Sequence, residues 1–262
     1  MRLDAYLVER GLVSSRTRAK ELITSGFVTV DGKTVDKPAY NVMEENPPQV
    51  CVTGQIHPFV GRGGMKLDGA LSAFHIDVTG MICADIGAST GGFTDCLLKR
   101  GASHVYAVDS GAGQLDPTLC ADSRVTNIEH FNARNLTPDT FGRLCDIAVA
   151  DLSFISQTYI LQNVRDILRP GGMYVGLIKP QFECGRSALD RHGIVKSRSH
   201  HKAAITRVVD CAALCGFVPR AVIPSPITGG DGNREFLMWC VKTETNEENP
   251  IANLDIERIV RL

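Results

Sequence analysis

The sequence predicts an α/β protein in which a doubly wound sheet of about seven strands follows a small α+β module. From Met81 onward, short apolar runs typical of strands alternate with helical stretches, and a glycine-rich turn follows the first run. Before that point, helical periodicity gives way to an alternating segment with a central Asp31-Gly32 turn. The length of 262 residues accommodates a core of about 180 residues beside a module of about 60 residues.

The front module is predicted to span residues 1–47. Apolar residues at helical spacing indicate two short helices, and Ser14 or Ser15 can cap the second of them. Gly26 is suited to end that helix, and a β-hairpin is predicted to follow it. Recurrent prolines then interrupt the pattern, so residues 48–60 are predicted to be the interdomain linker.

The second domain is predicted to span residues 61–262 and to alternate strands with helices. Its strands are indicated by the apolar runs MICADIG, HVYAVDS, Val125–Ile128, DIAVADLS, MYVGLIK, FVPRAVIPS and FLMWCVK. Helices are predicted over Gly92–Arg100, over about 157–168 with an end at Pro170-Gly171-Gly172, and from about 198 to Leu214. A long loop is expected before the last of these helices.

Composition and charge exclude several classes of protein. Hydrophobic residues make up 44% of the chain, but no run approaches the about 18 apolar residues that a membrane helix needs. The N-terminus carries acids and lacks the apolar segment of a signal peptide, so a cytoplasmic location is expected. The nine cysteines are scattered without a C-x-x-C pair, which argues against a disulfide framework or a structural zinc site, and no metal is expected.

The net charge of −1 does not by itself indicate a protein that binds nucleic acid. Between Lys179 and Arg207, however, seven basic residues outnumber two acidic ones. This basic stretch is interpreted either as a loop that closes over structured RNA or as a flexible surface loop.

A glycine-rich turn, Asp85-Ile-Gly-Ala-Ser-Thr-Gly-Gly92, follows the first strand of the predicted sheet. In doubly wound sheets, ligands bind beyond the carboxyl ends of the strands, where such a turn lets the backbone approach them. Asp109 ends the second strand and is placed to accept hydrogen bonds from ribose hydroxyls. The turn is not G-x-G-x-x-G, and the acid before it would repel a pyrophosphate but can hold the ammonium of a methionine group.

These features favour S-adenosylmethionine over a nicotinamide cofactor. The alternative is that the turn serves only to pack a helix on the sheet. The residues predicted to bind the cofactor are Asp85, Gly87, Ala88, Ser89, Thr90, Gly91, Gly92, Phe93 and Asp109.

Four charged residues are predicted to form a catalytic group: Lys66, Asp151, Lys179 and Glu235. Asp151 and Lys179 each end a strand, and Glu235 begins the last strand, which starts at the same edge if it is antiparallel. Lys66 lies in a predicted helix beside the first strand. Taken singly, each residue could be a solvated surface charge or a loop cap, but their joint position favours a site.

The residue types suit methylation of a ribose 2′-hydroxyl, which must lose its proton as its oxygen attacks a sulfonium methyl. A lysine accepts that proton only if its pKa is lowered by a neighbouring cation or by burial. We therefore expect Lys179 to be the base and Lys66 the neighbouring cation, with Asp151 and Glu235 orienting the two lysines.

The segments FVGRGGMKL, ADLSFIS, LIKPQFE and GNREF resemble the TlyA family, and the resemblance covers nearly the whole chain. These bacterial proteins, historically labelled hemolysins, act as ribosomal-RNA 2′-O-methyltransferases, and their catalytic domain is similar to the FtsJ RNA methyltransferases. The resemblance implies a Rossmann-like, S-adenosylmethionine-dependent methyltransferase domain. It also places the family's Lys-Asp-Lys-Glu tetrad on the four charged residues above, and its donor motif on Asp85–Asp95.

Residues 1–47 resemble the S4-like RNA-binding domain, first seen in a small-subunit ribosomal protein, through RLDAYLVERGL and the final VTVDGK hairpin. The resemblance implies that basic side chains of this module contact a phosphate backbone. Seven bases balance seven acids in the module, so a solvated helix face is the alternative interpretation. The residues predicted to bind RNA are Arg2, Arg16, Arg18, Lys20 and Arg62.

Together these resemblances imply S-adenosylmethionine-dependent 2′-O-methylation of a cytidine in ribosomal RNA within an assembled subunit. The expected partner is ribosomal RNA or a ribosomal subunit, and the protein is expected to be a monomer that binds no membrane and no metal. Longer relatives modify both subunits, and the lack of a basic N-terminal extension here favours the large subunit. Two alternatives are an RNA-binding assembly factor without catalysis and a membrane-active hemolysin, for which no lipid-seeking segment is present.

Overall fold

The computed structural model describes residues 1–13, 15–43, 47–54, 58–243 and 255–261. The chain divides into two compact units, Met1–Gly61 and Arg62–Leu262.

The first unit is an α+β module with its own apolar core. Two short helices and a three-stranded antiparallel sheet, in the order β2-β1-β3, supply the core. Leu3, Leu7, Ile23 and Val28 are fully buried in it. The elements are α1 (Leu3–Glu9), α2 (Arg16–Thr24), β1 (Val28–Val30), β2 (Lys33–Thr34) and β3 (Val50–Val52).

The local signals in this unit fold as the sequence predicts. The Ser15 side chain accepts a hydrogen bond from the Arg18 backbone N–H and caps α2, while Ser14 lies outside the described residues. Asp31 and Gly32 both have positive φ angles, of 49° and 75°. Two such residues form the hairpin turn whose twist matches the flanking strands, so the predicted hairpin is confirmed.

The structure differs from the prediction of a linker over residues 48–60. Strand β3 lies in this range and pairs antiparallel with β1, with Val52 opposite Val28. The strand satisfies backbone groups of β1 that would otherwise form an open sheet edge. Residues 55–57 of the predicted linker lie outside the described residues.

The second unit is built on a seven-stranded sheet in the order β6-β5-β4-β7-β8-β10-β9. Every strand runs in the same direction except β10, which is antiparallel to both of its neighbours. The predicted doubly wound α/β fold is therefore confirmed. The strands are β4 (Ile82–Ile86), β5 (His104–Val108), β6 (Val125–Ile128), β7 (Cys145–Ala150), β8 (Leu168–Ile178), β9 (Phe217–Pro224) and β10 (Phe236–Lys242).

The α-helices of this unit alternate with the strands, and four short 3₁₀ helices lie among the described loops. The α-helices are α3 (Gly63–Ala73), α4 (Gly92–Lys99), α5 (Pro117–Cys120), α6 (Leu161–Asp166), α7 (Pro180–Glu183), α8 (Arg198–Leu214) and α9 (Ile256–Ile259). The 3₁₀ helices span Ala133–Asn135, Pro138–Phe141, Gln157–Tyr159 and Arg186–Ala188.

Two parts of the second unit differ from the sequence prediction. The helix expected over about 157–168 is a 3₁₀ turn followed by α6, which ends at Asp166. The Pro170-Gly171-Gly172 segment lies inside β8, where the register against β7 shifts and Gly171 has a φ of 71°. In addition, the expected long loop before α8 contains α7 and a 3₁₀ turn.

Candidate active site

The carboxyl ends of β4, β7 and β8 meet at one edge of the sheet, because these strands are parallel neighbours. Asp151 directly follows β7, and Lys179 directly follows β8. Strand β10 is antiparallel to β8, with Phe236 opposite Ile178, so Glu235 lies at the same edge. The last strand is thus antiparallel, as the prediction that Glu235 lies at this edge required.

The four predicted catalytic residues form two ion pairs. Lys66 Nζ lies 2.6 Å from Glu235 Oε2, and Lys179 Nζ lies 2.6 Å from Asp151 Oδ1. Both lysine side chains are only 10% exposed. Lys179 Nζ also donates a hydrogen bond to Ser153 Oγ at 3.0 Å. The carboxylate beside each buried lysine offsets part of the desolvation cost of the charged form of that lysine.

Helix α3 directs Lys66 into the site. Leu67, Ala70 and Leu71 are fully buried, and their spacing defines the inward stripe of the helix. Lys66 lies at the border of this stripe, so its aliphatic stem packs with the core while its ammonium reaches Glu235.

The glycine-rich turn lies directly against the end of β7. Gly87 has a φ of 85°, and a Cβ atom at this position would lie 2.7 Å from the backbone oxygen of Asp151. Ser89 also has a positive φ, of 48°, and its N–H donates to Asp109 Oδ2 at 2.8 Å. Close packing thus requires glycine at position 87, and the bond to Ser89 ties the turn to the end of β5.

A cavity of about 500 Å³ opens between this turn and Asp151, the ion-pair partner of Lys179. Its lining includes Gly87, Ser89, Asp109, Asp151 and Ser153. Asp109 accepts backbone N–H bonds on both of its carboxylate oxygens, which orients the group at the cavity. Carboxylate oxygens have further lone pairs, so Asp109 can still accept a ribose hydroxyl.

Asp85 is fully buried at the end of β4. Thr94 Oγ1 donates to its Oδ2 at 2.7 Å, whereas its Oδ1 has no hydrogen-bond partner among the described residues. Burial raises the pKa of Asp85 to about 7, and the negative charge of Asp151 adds to the increase. An ammonium group would satisfy this acceptor, so Asp85 suits the methionine end of S-adenosylmethionine.

Other residues of the predicted cofactor motif shape the turn. A Cβ atom on Gly91, whose φ is 92°, would lie 2.2 Å from Leu119 Cδ1, so this glycine packs against α5. Ala88 and Phe93 are buried, Thr90 accepts a backbone bond from Asp116 at its carbonyl, and Gly92 begins α4.

The basic residues predicted to bind RNA have unequal environments. Arg2 and Arg16 both contact the buried carboxylate of Asp4, and Arg18 Nη1 donates to the Phe59 carbonyl. Lys20 is exposed and lies on the same face of α2 as Arg16, four residues earlier. In the second unit, the exposed Arg62 donates to the Thr228 carbonyl at 3.3 Å.

Two residues at the site were missed by the sequence analysis. Ser153 contacts Lys179, and Phe154 is 92% exposed at the cavity rim, where its ring lies 5.3 Å from that of Phe182. Phe154 has a φ of 66°, which is rare for a bulky residue. Their position two and three residues after Asp151, at the carboxyl end of a strand, is the signal that could have identified them.

The sheet order, the glycine-rich turn and the cavity beside it define an S-adenosylmethionine-dependent methyltransferase of the Rossmann-like class. Residues 59–242 match the FtsJ-like methyltransferases, and residues 1–46 match the S4 domain. The chain belongs to the FtsJ-like methyltransferase family, and its S4 and TlyA-like character, predicted from the sequence, is confirmed.

Several relatives are similar to this protein over most of the chain. The 16S/23S rRNA (cytidine-2′-O)-methyltransferase TlyA of Mycobacterium tuberculosis is 43% identical over 94% of this chain and 91% of its own length. Hemolysin A of Brachyspira hyodysenteriae is 40% identical over 90% of this chain and 98% of its own length. A solved structure of a candidate hemolysin from Streptococcus thermophilus is 39% identical, with a TM-score of 0.78, and covers 100% of this chain and 94% of its own.

Two absences concern only the part of the chain that the structure describes. None of its helices is both long and apolar enough to cross a membrane. Within the same residues, no group of three or more His, Cys, Asp or Glu side chains is arranged to hold a metal ion.

Proposed function

We propose that this protein transfers the methyl group of S-adenosylmethionine to the 2′-oxygen of a cytidine in ribosomal RNA. The observation that carries the proposal is the ion pair between the buried Lys179 and Asp151, which lines the cavity beside the glycine-rich turn. The 43% identity to a protein named as an rRNA (cytidine-2′-O)-methyltransferase supports the choice of acceptor. The proposal includes an assembled ribosomal subunit as substrate, a cytoplasmic location and a monomeric enzyme.

Lys179 is the proposed proton acceptor. Bound S-adenosylmethionine supplies an electrophilic methyl group. As the 2′-oxygen forms its bond to carbon, the carbon–sulfur bond breaks and sulfur keeps the electron pair, while Lys179, as a neutral amine, takes the hydroxyl proton on Nζ. Asp151 and Ser153 fix the direction of that nitrogen through contacts of 2.6 and 3.0 Å. Their role is to hold Lys179 in line with the attacking hydroxyl.

The Lys66–Glu235 pair supports the same step. Glu235 directly precedes β10, and the pairing of β10 with β8 places it beside the end of β8. Its partner Lys66 therefore brings a second cation to the edge that carries Lys179. A neighbouring cation favours the neutral form of a lysine, which is the form able to accept a proton. Removal of Lys66 should therefore slow methyl transfer without removing the acceptor itself.

The test is transfer of radiolabelled methyl from S-adenosylmethionine to purified 30S and 50S subunits. Wild-type protein, Lys179→Met and the control Arg124→Met are compared, because Arg124 is half-exposed and pairs with Asp122 ahead of β6, at the sheet edge opposite the site. We expect label on a cytidine ribose, loss of label in Lys179→Met, and wild-type label in Arg124→Met. The amounts of label on the 30S and 50S subunits test the predicted preference for the large subunit.

Calorimetry of donor binding completes the design. Lys179→Met should bind S-adenosylmethionine as tightly as the wild type, and loss of binding would place Lys179 in the donor pocket instead. Absence of label on both subunits with the wild type would contradict the proposal. An assembly factor would then be favoured, and Lys179→Ala would leave its cellular role intact.

A further inference from the structure

A buried acid outside the four catalytic residues lies close to Lys179. Glu183 ends α7, four residues after Lys179, and is 3% exposed. Its Oε2 accepts a hydrogen bond from Ser156 Oγ at 2.5 Å, and its Oε1 accepts one from the Gln157 N–H at 2.9 Å. Both carboxylate oxygens are therefore bonded to the loop that follows β7.

Gln157 extends this network into β8. Its Nε2 donates to the Leu177 carbonyl at 2.6 Å, and its Oε1 accepts from the Tyr174 hydroxyl at 2.5 Å. A Cβ atom on Gly176 would lie 2.2 Å from Gln157 Oε1, so the glycine leaves the space that the amide occupies. Gln157 and Tyr174 are both buried. The network is thus built into the packing of the sheet.

The network fixes both segments that meet at Lys179. At one end of the loop after β7, Asp151 and Ser153 contact Lys179 Nζ, and at the other end Ser156 is bonded to Glu183. Helix α7, which carries Glu183, directly follows Lys179. The Glu183 carbonyl also accepts a bond from Arg207 Nη1 at 2.9 Å, which anchors α7 to α8.

The chemistry explains why an acid suits this position. Burial raises the pKa of Glu183, whereas the bonds from Ser156 and Gln157 oppose that increase. A carboxylate accepts two donors at once, and bonds to a charged acceptor are stronger than those between neutral groups. An alanine would remove the acceptor of the Gln157 N–H and leave the Ser156 hydroxyl only its contacts with Thr158.

We infer that Glu183 is a positioning residue for methyl transfer: through Ser156 and Gln157 it holds the loop that presents Asp151 and Ser153 to Lys179. The inference rests on the proposed function, since it takes Lys179 as the proton acceptor. Glu183 touches neither of the catalytic pairs directly, so its effect passes through the loop.

The kinetic test compares Glu183→Ala, Glu183→Gln and Ser156→Ala with the control Asp210→Ala, an exposed acid on α8. We expect kcat of Glu183→Ala to fall at least about tenfold while the KM for donor changes little, because small displacements of catalytic groups are costly. Glu183→Gln should recover part of kcat, since its carbonyl can accept from Gln157 and its amide can donate to Ser156 Oγ. Unchanged kcat in Glu183→Ala would overturn the inference.

A second readout needs neither RNA nor donor. Acetylation of lysines by acetic anhydride, followed by mass spectrometry, compares Lys179 with Lys66; both side chains are 10% exposed and lie 2.6 Å from a carboxylate oxygen. Glu183→Ala should accelerate labelling of Lys179 severalfold and leave Lys66 unchanged, and Ser156→Ala should act in the same direction. Equal acceleration of both lysines, or of neither, would overturn the inference. Selective labelling in a protein that methylates no subunit would instead count against the proposed function alone.

Discussion

Lys66 and Glu235 are separated by 169 residues in the sequence, and their side chains form a 2.6 Å ion pair in the interior of the second unit. The pair joins α3, which precedes the sheet, to the start of β10, which is one of its last strands. Only the antiparallel direction of β10 brings these two residues together.

The Lys66–Glu235 pair predicts strong energetic coupling. Glu235→Gln should leave the Lys66 ammonium buried without a counter-charge and cost about 3–5 kcal/mol of unfolding free energy, and Lys66→Met should have a similar cost. The double variant should cost clearly less than the two single variants together, because it leaves no isolated charge. Urea unfolding, followed by the fluorescence of the single tryptophan Trp239 on β10, measures this. Additive costs would show that the two side chains do not depend on each other.

Asp85 predicts a pH dependence of donor binding. Its folded-state pKa of about 7 lies above the ordinary 3.8, so the stability it contributes to the donor-free protein is lost as pH rises through 7. A bound ammonium requires the ionised carboxylate, and below pH 7 a proton must leave first. Affinity for S-adenosylmethionine should therefore weaken about tenfold per pH unit below 7. Calorimetry between pH 5.5 and about 7.5 measures this dependence of affinity on pH. Asp85→Asn should abolish the dependence. An equal slope in that variant would show that another group releases the proton.

The space around Gly87 has no room for a Cβ atom, whereas the space around Gly80 has. Gly87→Ala places a Cβ atom 2.7 Å from the Asp151 backbone oxygen, at a φ of 85°. We expect the turn to shift and donor affinity to fall at least about tenfold. Gly80→Ala is the matched control, because Gly80 also has a positive φ but nothing within 4 Å of the added atom. Equal losses of affinity in both variants would attribute the effect to backbone strain alone.

The sheet and the location of the site were predictable because both depend on local signals. Apolar runs mark the strands, and the carboxyl ends of parallel strands meet at one edge whatever the rest of the chain does. Asp151 and Lys179 could be assigned to that edge because each directly follows a strand. Glu235 could be added only on the condition that the last strand is antiparallel, which the register confirms.

The parts that the sequence did not predict depend on contacts between distant residues. Strand β3 has three residues after two prolines, and only its pairing with β1 makes it a strand. The sequence Pro170-Gly171-Gly172 is typical of a turn, yet the shifted pairing of β7 and β8 keeps it within a strand. The role of Glu183 could not be read from LIKPQFE, because its partners Ser156 and Gln157 are 27 and 26 residues away.

Arg16 and Lys20 share one face of α2, but their expected roles in RNA binding differ. Arg16 also holds the buried Asp4, whose pKa is lowered to about 2 by its bonds with Arg2 and Arg16. Arg16→Ala should therefore weaken RNA binding and also lower the melting temperature of the first unit. The exposed Lys20 has no such structural role among the contacts described, so Lys20→Ala should weaken binding alone.

Salt titration separates these two effects. If Lys20 contacts one phosphate, Lys20→Ala should reduce the slope of log K against log salt by about 0.7–0.9, whereas Lys20→Arg should preserve it. RNA binding by fluorescence anisotropy, with the melting temperature measured on the same samples, distinguishes loss of a contact from loss of the fold. If Lys20→Ala and the wild type have the same slope, the helix face is solvated and Lys20 contacts no phosphate. The basic stretch between Lys179 and Arg207 would then be the next surface to test for RNA binding.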